Sequence, residues 1–161
     1  MNTRYALFAL GAAVLAADRA TKLWIEKTFE LWDTRAVIPG FFNLVHTQNR
    51  GVAFGLFNED PARWQQLTLT GLSMAILVFL AVQIWKGSGS PASRVAFALV
   101  MGGAMGNVHD RIFLGAVTDF LEFYAGSYRW PAFNLADSAI TVGAALLLLD
   151  MWRPRRATAE A

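Results

Sequence analysis

Leu67–Trp85, LTLTGLSMAILVFLAVQIW, is a run of 19 residues without a charge. A helix rises about 1.5 Å per residue, so a run of this length crosses the ~30 Å hydrocarbon core of a bilayer. The rest of the chain keeps that character. Hydrophobic residues make up 55% of it, charged residues 16%, and the mean hydropathy is +0.37, outside the range of ordinary globular domains. A net charge of +2 with 13% aromatic residues does not describe a nucleic-acid surface. The absence of cysteine excludes disulfides, thiolate metal sites and a cysteine nucleophile.

Outward from that helix, three more apolar segments appear, at residues 5–25, 95–114 and 133–152. The first begins like a secretory signal peptide, with Arg4 and then an apolar run from Tyr5 to Ala17. Three further hydrophobic segments follow it, so it is expected to be a retained span. Between the first two spans, Phe41–Thr47 and Val52–Phe57 are strand-like runs around Gln48-Asn49-Arg50-Gly51, which predicts a hairpin within residues 38–58. Asp60-Pro61 then suits the start of a helix, and Gly87-Ser88-Gly89-Ser90-Pro91 a tight turn. Residues 119–131 read as an aromatic connection between the last two spans. The expectation is one all-α integral membrane domain over 1–161, with four transmembrane helices and a small extracytoplasmic β-rich platform.

Charge orients such a bundle. Arg4, Lys86, Arg94, Arg153, Arg155 and Arg156 lie in short flanks on one side, whereas Lys27, Arg35, Arg50, Arg63 and Arg129 are spread over longer loops on the other. Lysine and arginine in short flanks mark the cytoplasmic side, which predicts both termini inside. Asp18, Lys22, Asn107, Asp110, Arg111, Asp119 and Asp137 then share one depth near the outer face. An Asp at the centre of a membrane helix costs about 2.5–3.5 kcal/mol, so such residues point to function.

The pattern restricts the chemistry. Ser73 and Ser138 lack a convincing base, His46 and His109 stand alone in their segments, and no H-E-x-x-H occurs, so serine and zinc hydrolysis are not indicated. Asp18 and Lys22 are four apart on one helix face, the order that favours a structural ion pair, and Asp110, next to Arg111, is expected to belong to a supporting ion pair. Asp119 and Asp137 remain. Two carboxylates held close cannot both ionise easily; the charged one can activate water while the neutral one bonds the carbonyl oxygen and protonates the leaving amine. Spacing alone leaves open a catalytic dyad, a proton-carrying pair in a small transporter, and a structural role. A transporter would predict an internal repeat and polar groups near the midplane. The polar residues instead cluster at one edge.

Five ordered blocks carry a resemblance: Asp18-x-x-Thr21-Lys22, Asn49-x-Gly51-x-Ala53-Phe54, Gly103-x-x-Gly106-Asn107-x-x-Asp110-Arg111, Val117-x-Asp119-Phe120 and Phe133-Asn134-x-Ala136-Asp137-Ser138. Over nearly its full length the chain resembles the lipoprotein signal peptidases, the type II signal peptidases of bacteria. The resemblance implies an intramembrane aspartyl endopeptidase of the cytoplasmic (inner) membrane, without a cofactor, whose catalytic pair matches Asp119 and Asp137. Its substrates are prolipoproteins carrying a diacylglyceryl group on cysteine, cut just before that cysteine, and globomycin-type antibiotics inhibit it. Asn49, Gly51, Asn107, Arg111 and Asn134 match residues that position substrate or dyad; Asp18, Lys22 and Asp110 match structural supports. His109 and Thr118 depart from the pattern. Aromatic Phe41, Phe42, Phe54, Trp130 and Phe133 suit a membrane boundary, where such residues are common without any specific role.

Overall fold

The computed structural model describes residues 3–51 and 63–152. Among these, four helices and one small antiparallel sheet form in the order α1 (Thr3–Thr28), β1 (Thr34–Ile38), β2 (Phe42–Asn49), α2 (Arg63–Lys86), α3 (Pro91–Phe113), β3 (Val117–Ala125), β4 (Tyr128–Arg129) and α4 (Leu135–Met151). Each helix contains most of one apolar run read from the sequence. The fold is therefore mostly helical but not all-α, since the sheet is a continuous four-stranded unit.

The third helix is central and packs against the other three. Small residues allow this. A methyl group at Gly102 would collide with the Gly11 carbonyl and Val14, and one at Gly106 with the Asp18 carboxylate. At Gly103 it would meet the backbone carbonyl of Ala136, which cannot swing aside as a side chain can. Gly103→Ala is accordingly expected to lower stability by about 1–3 kcal/mol, read as a lower unfolding midpoint in detergent. The start of α3 is capped by Ser90, whose hydroxyl accepts from the Ser93 N–H at 3.1 Å, with Pro91 in the first turn. Asp150 near the end of α4 accepts from both Ser90 Oγ (2.7 Å) and Ser93 Oγ (2.5 Å), which ties the two helix ends together.

Burial is inverted relative to a water-soluble protein. Asp18, Lys22, Asp110 and Asn134 are 0% exposed, whereas Leu72, Val78 and Phe79 of α2 and Leu148 and Leu149 of α4 face outward. Exposed apolar surface on that scale marks an interaction surface, here one suited to lipid. Among the described residues, Gln66–Lys86 is the one stretch long and apolar enough to cross a membrane by itself. The interior holds two apolar clusters: Leu7, Leu80, Ile84, Ala98 and Met101 between α1, α2 and α3, and Ile25, Phe29 and Phe120 beneath the sheet.

The sheet order is β1-β2-β3-β4. One expectation changes here, and another falls partly outside the described residues. The strand at Phe41–Thr47 is present as β2, but its partners are β1 on one side and β3 on the other, with Thr34 opposite Val45 and Thr47 opposite Asp119. Val52–Phe57, read as the second arm of a hairpin, lies outside the described residues, as do Asp60-Pro61, Phe54 and the arginines at 153, 155 and 156. The connection after Asp119 is not a loop: β3 runs to Ala125, turns through Gly126 at φ 58 and returns as β4. A residue in that left-handed conformation is most easily glycine. Phe133 then lies back along β3, exchanging backbone hydrogen bonds with Leu121 at 2.8 and 3.0 Å, and so delivers the start of α4 to the strand that carries Asp119.

Candidate active site

Asp119 is 3% exposed on β3, and Asp137 is half-buried in the first turn of α4. Asn134 links them. As the N-cap of α4 it accepts the Asp137 N–H on its side-chain oxygen (2.9 Å), while Asp137 Oδ2 accepts the Asn134 N–H (3.3 Å), a reciprocal capping box. The amide nitrogen of the same side chain donates to Asp119 Oδ1 at 2.7 Å. One residue thus caps a helix and orients both carboxylates.

The remaining carboxylate oxygens are also held. Asp137 Oδ1 accepts from Asn107 Nδ2 at 2.8 Å, and Asp119 Oδ2 from Asn49 Nδ2 at 3.2 Å. The oxygen of Asn49 accepts the Gly51 N–H (3.0 Å), an Asx turn that aims its amide at Asp119. The Gly51 carbonyl accepts from Arg111 Nη2 at 3.2 Å, and the Asn107 carbonyl from Arg111 Nη1 at 3.4 Å. Burial, and then the neighbouring Asp137 charge, push the Asp119 carboxyl up to about 7, against the opposing hydrogen bond from Asn49, the charge of Lys22 and the hydrogen bond from Asn134.

Beneath the pair lies a buried ionic cluster. Lys22 Nζ forms ion pairs with Asp18 Oδ2 at 2.8 Å and Asp110 Oδ2 at 2.8 Å, and donates a hydrogen bond to Asn107 Oδ1 at 3.1 Å. The other Asp18 oxygen accepts the Ala136 N–H at 3.0 Å, within the first turn of α4. Asp110 forms ion pairs with Lys22 and Arg19, both on α1, while the neighbouring Arg111 takes other partners. Adjacent residues on a helix do not face each other, so Asp110 turns toward α1 while Arg111 turns toward Gly51.

All the site residues read from the sequence therefore converge, and three others join them. Arg19 completes the Asp110 pairing, Thr47 Oγ1 donates to the Asp119 carbonyl at 3.2 Å, and Glu26 accepts from Thr118 Oγ1 at 2.8 Å. Their charge or hydroxyl was visible in the sequence; the partner across space was not. His46 is a core residue, its Nδ1 3.0 Å from the Phe29 carbonyl. His109 lies against Phe113 with ring centroids 4.7 Å apart, and its Nδ1 is 3.5 Å from Asp110. Ser138 donates to the Asn134 carbonyl at 2.9 Å, which occupies its hydroxyl proton. Beside the site, an apolar cleft of about 350 Å³ is lined by Phe41, Phe123, Tyr124, Tyr128, Trp130 and Phe133 among others.

A lipid-compatible exterior around an interior carboxylate pair is the outline of a membrane hydrolase of the aspartic type. Comparison with known proteins gives that outline a family. A family model described as Signal peptidase (SPase) II matches residues 10–153, and the chain belongs to that family of aspartic-type peptidases. It is 45% identical over 160 residues to the lipoprotein signal peptidase of Solibacter usitatus, covering 99% of this chain and 98% of that protein. To the lipoprotein signal peptidase of Cupriavidus taiwanensis it is 43% identical over 145 residues, covering 90% and 81%. A solved bacterial membrane enzyme, determined by the in meso method at 2.3 Å, superposes with a TM-score of 0.83 at 28% identity, covering 97% of this chain and 93% of that one.

Proposed function

We propose that this peptidase removes the signal peptide from diacylglyceryl-modified prolipoproteins, cutting before the lipid-modified cysteine with water activated by Asp119 and Asp137. The observation that carries the proposal is the bridging of the two carboxylates by Asn134. Asp137 takes a proton from water as the water oxygen attacks the scissile carbonyl. Asp119, protonated, donates a hydrogen bond to the developing oxyanion and then gives its proton to the leaving amine. The pair ends with one proton, as it began.

The site belongs at the outer boundary of the bacterial cytoplasmic membrane, with α1 to α4 crossing the bilayer and both termini inside. Supporting this, α1, α3 and α4 contribute their buried polar groups at one level, next to the sheet, while their outward surfaces are largely apolar. Acyl chains on the substrate would bring the scissile bond to that level. Globomycin-type peptides would block the same pair.

The test is to reconstitute the chain and offer a lipid-modified prolipoprotein beside its unmodified form. Cleavage of the modified form alone, immediately before the cysteine, is expected; a transporter or structural subunit would cleave neither. A pH dependence follows as well. Asp119 supplies a proton, so the form with its carboxyl near pKa 7 is competent below that pH and loses the proton above it. The pH profile of kcat/KM should therefore show an alkaline limb with its midpoint near 7. Stability shifts the same way: a carboxyl with a raised pKa favours the fold most below its unfolded value of 3.8, and that contribution is lost as pH rises toward about 7.

A further inference from the structure

We infer that Glu26 is a positioning residue for Asp119, acting through the hydroxyl of Thr118. This rests on the peptidase reading above.

Thr118 immediately precedes Asp119 on β3 and is 1% exposed. It is anchored to three separate elements. Its Oγ1 donates to Glu26 Oε1 on α1 at 2.8 Å, its N–H reaches Asp110 Oδ2 on α3 at 3.4 Å, and its carbonyl accepts from Asn134 Nδ2 at 3.3 Å. That amide nitrogen is the one that donates to Asp119 Oδ1. Successive side chains on a strand point to opposite faces, so the Thr118 hydroxyl holds β3 from behind while Asp119 projects toward Asp137.

The sheet supplies part of this restraint, pairing Thr118 with Gln48 and Asp119 with Thr47, but only on one side of Asp119. The β2–β3 pairing slips between Leu44 and Thr47, directly beside Asp119, where the pairs change from Leu44 opposite Leu121 to Thr47 opposite Asp119. A bulge of this kind bends the strand and interrupts its ladder next to Asp119, so contacts beyond the ladder add to what fixes the local geometry. Glu26 provides one. It lies one turn beyond Lys22 on the same side of α1, so a single helix face fixes Asn107 and Asp110 through Lys22, and the strand of Asp119 through Glu26. The hydroxyl–carboxylate bond is also of the charge-assisted kind, stronger than one between neutral groups.

Thr118→Val is the informative substitution, because valine keeps the shape, strand preference and backbone bonds of threonine and removes only the hydroxyl. In reconstituted enzyme acting on a lipid-modified prolipoprotein, Thr118→Val and Glu26→Ala should each lower kcat by about tenfold at unchanged KM, since small displacements of a reacting group slow chemistry without weakening binding. Thr118→Ser and Glu26→Gln, which keep a donor and an acceptor, should recover most of the loss. The Thr118→Val/Glu26→Ala double variant should be no slower than either single one, because both remove the same bond. A wild-type kcat for folded Thr118→Val, or multiplicative losses in the double variant, would overturn the inference while leaving the peptidase reading intact. Wild-type enzyme that cleaves nothing would overturn both.

Discussion

Lys22→Met is expected to destabilise the folded chain by about 3–5 kcal/mol, the cost of breaking a buried ion pair from one side. Lys22 is 0% exposed and its ammonium contacts two carboxylates and an amide oxygen. Methionine would fill much of the volume but leave Asp18 and Asp110 facing each other without their shared cation. Arg19 would still bond one oxygen of Asp110, and the Ala136 N–H one oxygen of Asp18, so the loss is partial. A typical domain is stable by about 5–15 kcal/mol, so the expected cost is a large share of the total. Thermal unfolding in detergent, with the yield of monodisperse protein beside it, measures the effect. An unchanged midpoint would mean that the cluster is not integral to the fold.

The second large effect concerns catalysis alone. Asp119→Asn and Asp137→Asn should each reduce kcat by about 10²–10⁴-fold, the usual contribution of a positioned acid or base. Asparagine preserves the size of each side chain. At 119 it retains one oxygen able to accept from Asn49 or Asn134, and at 137 one able to accept from Asn107. Folding should therefore survive. What is lost is the ability to hold or release the proton. Because the two carboxylates act as one unit, the double variant should be little worse than either single variant, as is found for residues that serve one step.

Much of this architecture is legible from local features. Leu67–Trp85 falls inside α2, whereas α3 already starts at Pro91, within the stretch expected to be a turn, because Ser90 caps it and proline suits the first helical position. The described polar residues of the five sequence blocks lie in one connected network around Asn134 and Lys22. The pairings across space are another matter. That Asp110 belongs to an ion pair could be read locally, but its cations, Lys22 and Arg19, are on α1, Arg19 being 91 residues away in sequence. Thr118 and Glu26 are 92 residues apart, and no periodicity connects them. Likewise, the strand at Phe42–Asn49 was recognisable, but its partners depend on how α1 and α3 bring β1 and β3 to either side of it. The segment after Asp119 reads as an aromatic connection; as a strand it places Phe120 against Phe29 and Ile25, a contact that only the folded bundle supplies.

The central claim is that Asp119 and Asp137 together activate water for peptide hydrolysis. The most direct test reconstitutes equal amounts of folded wild-type, Asp119→Asn and Asp137→Asn protein, mixes each with a lipid-modified prolipoprotein, and follows both substrate capture and the released signal peptide by mass spectrometry. The account predicts that all three bind the substrate and that only the wild type releases the peptide, cut immediately before the modified cysteine. Release at the wild-type rate by either variant would contradict it.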